Sequence, residues 1–400
     1  MPAYEFPAST TAHAVDFTLA DPKSLPQEDA ENATCLYDLS NVKYTEPAAL
    51  QALIASIRAN LLKKITVQLR LPKNKKTRDF WRAWKFDDAL KAATGRALSQ
   101  LTVAEDYHYF GETQTDFLGI QYNSIYQGKP QSLSLVNHYP FYTCALPQSF
   151  NGSIHAEQQS KRWQSEHIVQ ILKKKIGDNY QYLSDRMVFE AVQNAVKHPQ
   201  ATILQTASFD QPLSAASAAS SQLSVHFWDD GNSIAHTVHK AISDGKDVRL
   251  EVDSEFQRRY LVYMTDEKNS NIQPLEVGSE QALDKNTSLA RCLLASVFAG
   301  VTSDKSGDHA TNPYLSTIDR RLTAKGMGLF VLINACVEVM KGEISIRTSN
   351  LYMTVRNPKQ NELRKFPECS LVSKIHILPD NVPSFLGNLI CARIPTVDSR

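Results

Sequence analysis

The sequence lacks the features that mark nucleic-acid-binding, membrane and secreted proteins. Its formal net charge is only +1, so charge gives no reason to expect nucleic acid or an anionic membrane as a partner. No apolar run approaches the length that spans a bilayer. The opening residues, MPAYEFPAST, have neither the basic start nor the apolar core of a signal peptide.

Cysteine is scarce and scattered. The six cysteines include no C-x-x-C pair, so the sequence indicates neither a zinc site nor a disulfide framework. Cys336 lies in an apolar helical run, and we expect it in the core. A reducing, cytoplasmic compartment fits this use of cysteine best.

What remains is the composition of an ordinary globular protein, with 42% hydrophobic and 21% charged residues. A chain of 400 residues exceeds the size at which a single core stops growing, so two domains are expected. We predict a flexible arm over residues 1–30, an α/β domain with a connecting β region over 31–150, and a second domain over 151–400.

The N-terminal region alternates strand and helix patterns. After the strand ATCLYDLS, a helix is predicted with Thr45 as its N-cap and Pro47 in its first turn. The strand ITVQLRLP follows, and RDFWRAWKFDDALKAATG predicts one further helix that ends at Gly95. This order indicates a small α/β domain, whose core we expect to contain its aromatic residues Trp81, Trp84 and Phe86.

The rest of the chain adds further strands and helices. The Tyr- and Phe-rich region 101–150 is predicted to be β. The low-complexity run QPLSAASAASSQ is predicted to be the loop of a hairpin between ATILQTASF and LSVHFWDDG. Near the end, LFVLINACVEVM predicts a helix, GEISIRTSN a strand, and SFLGNLICARIP a last strand that proline follows.

A polar row crosses an otherwise apolar helix pattern in DRMVFEAVQNAVKH. Glu190, Asn194 and His198 repeat every four residues, so they share one helix face. In a lone helix, a solvated surface row is the ordinary explanation, and His198 can cap its own helix. Chemically, Asn194 offers a neutral oxygen to Mg²⁺, and Glu190 is placed to orient or deprotonate an attacking water or hydroxyl.

Two glycine-containing stretches follow this helix along the chain. Asp229 comes directly after the apolar strand LSVHFW, and its carboxylate needs a donor such as the exocyclic amine of adenine. Gly231 lets the backbone approach a flat base. Gly326 and Gly328 precede a helix whose first amides can point at phosphate oxygens. Alone, each stretch is explained equally well as an ordinary turn or helix cap.

Taken together and in this order, the three stretches resemble the GHKL (Bergerat-fold, histidine kinase-like) ATPases, the family of gyrase B, the ninety-kilodalton heat-shock chaperones and the histidine kinases. The family's N box, G1 box and G2 box correspond here to Glu190, Asn194 and Ala195, to Asp229 and Gly231, and to Gly326, Gly328 and Leu329. Two positions depart from the pattern. Ser233 replaces the second glycine of the G1 box, and Asn388 follows Gly387 where the family often has Gly-Thr.

The resemblance covers roughly residues 160–395 and implies an α/β sandwich ATPase domain that binds ATP and Mg²⁺. It implies Glu190 as the catalytic base and Asn194 as the Mg²⁺ ligand. The residues implied to contact the nucleotide and metal are Asn194, His198, Asp229, Gly231, Ser233, Ile234, Lys325, Gly326, Met327, Gly328, Leu329 and Asn388.

The N-terminal stretch YDLSNVKYTEPAALQAL resembles a STAS domain of the kind found in anti-sigma-factor antagonists. In that family the same strand–turn–helix carries a phosphorylatable serine. Here Pro47 and Ala48 occupy the position, so no hydroxyl is present. The resemblance therefore implies a fused docking module and not a phosphoacceptor.

These resemblances imply a slow Mg²⁺-dependent ATPase that acts as a nucleotide-driven switch in a bacterial regulatory or defence system. ATP would close the segment 300–325 and change how the two domains, or a partner protein or second copy, meet. A serine protein kinase of the anti-sigma type that acts on a separate partner is the main alternative. A non-hydrolysing nucleotide sensor is a third, although a pure binder has no need of Glu190 as a base.

Overall fold

The computed structural model describes residues 3–5, 9–10, 34–107, 121–126, 129–134, 136–146, 194–195, 201–214, 217–245, 260–265, 270–275, 287–297, 328–378 and 385–397. Over these ranges the chain is a mixed α/β protein, which confirms the predicted class. Among the helices in these ranges, none combines the length and hydrophobicity that a membrane crossing needs.

The N-terminal unit is built on a three-stranded parallel sheet, in the order β1-β3-β5. Its strands are β1 (Ala3–Glu5), β2 (Ser9–Thr10), β3 (Thr34–Asp38), β4 (Tyr44–Thr45) and β5 (Thr66–Arg70). Its helices are α1 (Pro47–Leu62), α2 (Lys75–Ala83), α3 (Phe86–Thr94), α4 (Leu98–Leu101) and α5 (Ala104–Tyr107). The predicted order of strand, helix and strand is confirmed by β3, α1 and β5.

The start of α1 differs from the prediction by one residue. Pro47 lies in the first turn as expected and is the first helical residue, but the N-cap is Glu46 and not Thr45, and Glu46 makes no side-chain capping bond. The Thr45 hydroxyl instead accepts a hydrogen bond of 3.2 Å from the Trp81 indole nitrogen. Thr45 therefore ties α1 to α2, and the proline, whose φ is already helical, begins the helix without a side-chain cap.

The single helix predicted to end at Gly95 is two helices, because the chain turns at Lys85, which has a φ of 52°. In a continuous helix, residues five apart point about 140° away from each other. The turn brings Trp81 and Phe86 together instead, with their ring centroids 4.7 Å apart. Trp81, Trp84 and Phe86 are all buried, as predicted.

The remaining described strands are β6 (Gln121–Tyr126), β7 (Lys129–Ser134), β8 (Val136–Ala145), β9 (Ile203–Ser214), β10 (Ser217–Asp229), β11 (Tyr260–Thr265), β12 (Ser270–Leu275), β13 (Glu343–Thr348), β14 (Leu351–Arg356), β15 (Leu371–Ile377) and β16 (Asn388–Val397). All but β6 and β7 form one nine-stranded sheet, in the order β12-β11-β15-β14-β13-β16-β10-β9-β8. Neighbouring strands are antiparallel except β11 and β15. β8, from the region predicted to connect the domains, is an edge strand of this sheet.

The hairpin of β9 and β10 is present, but the low-complexity run is not its loop. Most of that run is strand, since β9 extends to Ser214 and β10 starts at Ser217. Gln211 pairs with Gln222, and the register shifts only between Ser217 and Ser221. The antiparallel pairing of β9 with β10 therefore continues through most of the run.

The C-terminal half supplies the helices α6 (Ile234–Ser243), α7 (Leu289–Ala295), α8 (Gly328–Ile333) and α9 (Gln360–Lys365). The predicted helix LFVLINACVEVM is α-helical only as far as Ile333, and residues Asn334–Val339 form a π-helix. The Asn357 side chain donates a 2.7 Å bond to the Val337 carbonyl in this wider turn. Cys336 is buried, as predicted.

The last strand also runs further than predicted and includes Pro395. The neighbouring strand β13 pairs with β16 only as far as Arg393, whereas the pairing with β10 continues to Val397. The proline therefore lies where one side of β16 needs no backbone N–H donor, which is where a sheet tolerates proline.

The nine-stranded sheet has a separate hydrophobic core on each face. Phe227 of β10 belongs to the core that includes residues of α6, α7 and α8, and the next residue, Trp228, belongs to the core of the N-terminal unit. Trp84 contacts the rings of Phe141 and Phe209 at centroid distances of 5.4 and 5.6 Å. The N-terminal unit therefore covers part of one face of this sheet and shares its core with it.

Candidate functional site

The candidate site lies at the end of β10, on the same face as α6, α7 and α8. Because side chains alternate along a strand, Asp229 points to the face that Phe227 packs on, and Asp230 points to the opposite face. Asp229 is partly exposed, whereas Asp230 is buried. The sequence prediction that Asp229 follows an apolar strand is confirmed.

Two neighbouring groups donate hydrogen bonds to the Asp229 carboxylate. The backbone N–H of Gly231 lies 3.0 Å from Oδ1, and the Asn388 amide nitrogen lies 3.1 Å from Oδ1 and 3.3 Å from Oδ2. Burial raises the pKa of Asp229 to about 7 despite these donors, and the adjacent charge of Asp230 acts in the same direction. Asp229 can therefore exchange a proton near neutral pH.

Asn388 uses all of its hydrogen-bonding capacity within the protein. Besides Asp229, its amide nitrogen donates to the Asn232 carbonyl at 2.9 Å. Its amide oxygen lies 2.9 Å from the Ile234 backbone nitrogen and 2.8 Å from the Thr348 hydroxyl. Asn388 is 4% exposed. Through these contacts, Asn388 orients the Asp229 carboxylate and the start of α6.

Gly387 brings two backbones closer than any side chain would allow. Its φ is +81°, and a Cβ built on it would lie 1.7 Å from the Asp229 carbonyl oxygen. Gly231 is also close to its neighbours, since its Cβ would lie 3.0 Å from Asp229 Oδ1 and 3.1 Å from the Ala201 Cβ. Because neither glycine has a side chain, the start of β16 and the loop after β10 can both lie close to Asp229.

Ser233, which stands where the family has glycine, is the N-cap of α6. Its Oγ lies 3.4 Å from the His236 backbone nitrogen, from which it accepts a bond. The Thr348 hydroxyl lies 2.9 Å from Ser233 Oγ and 2.8 Å from Asn388 Oδ1. Since Thr348 has one proton and the amide oxygen can only accept, Thr348 donates to Asn388. Sequence analysis missed Thr348, because only the pairing of β13 with β16 brings it here.

The motif around Asn194 and the motif around Gly328 each contribute a residue to the core that contains Phe227. Asn194 and Ala195 are helical, and Asn194 is partly exposed while Ala195 is 3% exposed. Ala195 and Leu329 belong to the same hydrophobic core as Phe227. Gly328 is the first residue of α8. Glu190, His198, Lys325, Gly326 and Met327 lie outside the described residues, so their predicted roles remain predictions.

The two carboxylate oxygens of Asp229 differ in the hydrogen bonds that they accept. Among the described residues, Oδ1 of Asp229 accepts two bonds and Oδ2 accepts only the longer contact from Asn388, so within these contacts Oδ2 retains capacity for a ligand donor. Comparison of the chain with protein-family models, with curated proteins and with solved structures finds no match. The family resemblance is therefore carried by the motif residues themselves.

Proposed function

We propose that this chain binds ATP with Mg²⁺ through a GHKL-type site and hydrolyses it slowly, as a nucleotide-driven conformational switch. The observation that supports this most is Asp229, a partly exposed carboxylate at the end of an apolar strand that Gly231 and Asn388 hold from two sides. Such a group matches a single exocyclic amine, because Oδ2 has room for one donor.

The phosphates and the metal would lie toward the other two motifs. Asn194 would supply a neutral oxygen to Mg²⁺, which takes its remaining ligands from phosphate and water. The segment with Lys325, Gly326 and Met327 leads into α8, whose first residue is Gly328. Its backbone amides would donate to phosphate oxygens. Ala195, Phe227 and Leu329 share one core, which supports this common orientation of the three motifs.

Glu190 would supply the chemistry. It lies one helical turn before Asn194 in the sequence, so it would face the metal-bound phosphates from the same side. As the oxygen of a water bonds to the terminal phosphorus and the bond to ADP breaks, Glu190 would accept the proton of that water. The same group would accept the proton of a serine hydroxyl if the protein transferred phosphate to a partner.

The N-terminal unit is proposed to be a STAS-like docking module. Its helix α1 begins with Pro47 and Ala48, both buried, at the position where STAS domains carry their phosphorylatable serine. We also propose a cytoplasmic location. All six cysteines are free, and five of them are buried, which suits a reducing compartment.

The experiment that separates hydrolysis from phosphotransfer uses ATP labelled at the terminal phosphate. The protein is incubated with labelled ATP and Mg²⁺, alone and with the proteins encoded beside it, and compared with Glu190→Gln. We expect the protein alone to release labelled free phosphate. In Glu190→Gln the rate of this release should fall by about 10²–10⁴-fold. Glu338→Gln, a matched change at the partly exposed residue that accepts a bond from Asn334, should keep full activity.

The other outcomes distinguish the alternatives. Label on a partner protein would identify a kinase, and ATP binding without turnover would identify a sensor. Full activity in Glu190→Gln would remove Glu190 from the chemistry. If the protein bound no ATP at all, the proposed function would be wrong.

A further inference from the structure

Asp230, the neighbour of Asp229, is the centre of a buried polar cluster on the opposite face of the sheet. Its Oδ1 accepts from the backbone nitrogens of Thr202 and Ile203 at 2.6 and 2.9 Å, and its Oδ2 is close to the Thr202 hydroxyl. Arg58 of α1 completes the cluster, with Nε 3.0 Å and Nη2 2.6 Å from Oδ2. The side chain of Asp230 is 3% exposed.

All three guanidinium nitrogens of Arg58 donate hydrogen bonds, and these bonds join the N-terminal unit to the cluster. Nη1 donates to the Ala93 carbonyl near the end of α3, and Nη2 also lies 2.8 Å from the Thr202 hydroxyl. One side chain thus ties α1 and α3 to the start of β9 and the end of β10. Two guanidinium nitrogens donate to the same oxygen, Asp230 Oδ2, while the third donates to the Ala93 carbonyl, a set of contacts that the single ammonium group of lysine cannot make.

Asp230 lies in the chain between Asp229 and Gly231, the two residues whose groups meet at Asp229 Oδ1. The chain from Asp229 to Gly231 is short, and the N–H of Gly231 points back to Asp229 Oδ1 at 3.0 Å. A side chain at Gly231 would be crowded, since its Cβ would lie 3.1 Å from the Ala201 Cβ, so the backbone of this residue runs close to Ala201. A shift of Asp230 would therefore move Gly231 with it and lengthen the bond that the Gly231 N–H donates to Asp229.

We propose that Arg58 is a positioning residue for the nucleotide site: by holding Asp230, it fixes Asp229 and Gly231, so that the N-terminal unit sets the nucleotide affinity. This inference rests on the proposed function of the site. Nucleotide binding must in turn tighten the attachment of α1, because coupling between two sites is reciprocal. The N-terminal unit is thus a regulatory part of the site and not only a cover for the sheet.

A matched control is available at the other end of α1. Glu46, its N-cap residue, lies 3.5 Å from Arg393 of β16. That pair also joins α1 to the large sheet, but neither residue contacts the cluster around Asp230 in the described hydrogen bonds. Glu46→Gln therefore removes one ion pair of the interface, and Arg58→Gln removes another together with the support of Asp230.

The first measurement is hydrogen exchange of the nucleotide-free full-length protein, read on peptides that cover residues 229–234. Arg58→Gln is expected to raise exchange at the Gly231 and Ile234 amides by about tenfold relative to the wild type, while Glu46→Gln leaves them unchanged. Equal exchange in this segment for both variants would overturn the inference. If Arg58→Gln does not fold, Arg58→Lys is used, and unchanged exchange at 229–234 in that variant would overturn it equally.

The second measurement is the affinity for MgADP by calorimetry. Arg58→Gln should weaken binding by about tenfold, within the range of coupling between sites, and Glu46→Gln by less than about twofold. Equal affinities in the two variants would contradict the inference. A wild-type protein that binds no nucleotide would contradict the proposed function instead, and the exchange measurement would still decide whether Arg58 positions the end of β10.

Discussion

Asn388 and Asp229 are 159 positions apart in the sequence, yet the Asn388 amide nitrogen lies within 3.3 Å of both carboxylate oxygens of Asp229. The same amide also bonds to the backbone at Asn232 and Ile234. The Asn388 side chain therefore orients the Asp229 carboxylate and fixes the loop that follows it. Burial raises the pKa of this carboxylate to about 7. Predictions for the stability and binding of this region follow from that pair.

Replacing Asn388 with alanine should destabilise the protein and loosen Asp229. The change removes the bonds that the Ile234 backbone N–H and the Asn232 carbonyl make with Asn388, both in part-buried surroundings, so we expect a loss of about 1–3 kcal/mol in the free energy of unfolding, measured by urea denaturation. Asn350→Ala, in the turn between β13 and β14, is the control and should change it by less than about 0.5 kcal/mol. Equal stability of the two variants would show that the Asn388 bonds contribute nothing.

Replacing Gly387 with alanine should be much more damaging than the same change at Gly245. Both glycines have positive φ, +81° and +76°, so both variants carry the backbone strain of about 1–2 kcal/mol. Only at Gly387 would the new Cβ collide with the Asp229 carbonyl, whereas nothing lies within 4 Å at Gly245. Thermal denaturation should show a clearly lower Tm for Gly387→Ala, and similar values would contradict the close approach.

The raised pKa of Asp229 predicts a dependence of stability on pH. Its value is about 7 in the folded chain against an ordinary 3.8, so between these values the folded state holds a proton that the unfolded state has lost. The stabilisation from this group is therefore complete below about pH 4 and is lost as the pH rises through about 7.

Asp229→Asn removes this titration and tests it. The free energy of unfolding of the wild type, relative to Asp229→Asn, should fall between about pH 4 and about pH 8 when both are measured by urea denaturation. A difference between the two proteins that stays constant over this range would show that Asp229 does not titrate there.

Trp84 tests whether the N-terminal unit and the large sheet unfold together. Its side chain is fully buried between Phe141 and Phe209, so Trp84→Ala should cost about 3–5 kcal/mol, measured by thermal and urea denaturation. Because the core is shared, the whole transition should shift. A second transition that keeps its midpoint would contradict a common core. Leu62→Ala, at an exposed position of α1, should have little effect.

The sequence predicted the elements whose signals are local. The apolar strand before Asp229 and the proline in the first turn of α1 were read correctly, because strand patterns and proline geometry act within a few residues. The break at Lys85 was missed, since no glycine or proline marks it, and the contact of Phe86 with Trp81 that accompanies it is not visible in the sequence. The π-helix before Met340 was missed for a similar reason, because packing and the bond from Asn357 accompany it.

The candidate site was predictable in its residues but not in its contacts. Asp229 and Gly231 were identified from the motif, and Asn388 was predicted to contact the nucleotide although it departs from the family pattern. That Asn388 bonds to Asp229 depends on β16 lying beside β10, a long-range pairing that periodicity does not reveal. The bond between Arg58 and Asp230 spans 172 positions and is invisible in the sequence for the same reason.

The central claim, that Asp229 receives the adenine of a nucleotide, is tested most directly by titrating MgATP into the wild type and Asp229→Asn at one pH by calorimetry. Asparagine preserves the shape but replaces a carboxylate by an amide that can present its nitrogen to the base. We predict that the wild type binds and that Asp229→Asn binds about 10- to 100-fold more weakly, as the loss of a bond to a charged group of about 1.5–3 kcal/mol requires. Unchanged affinity in Asp229→Asn, with its fold intact, would contradict the account.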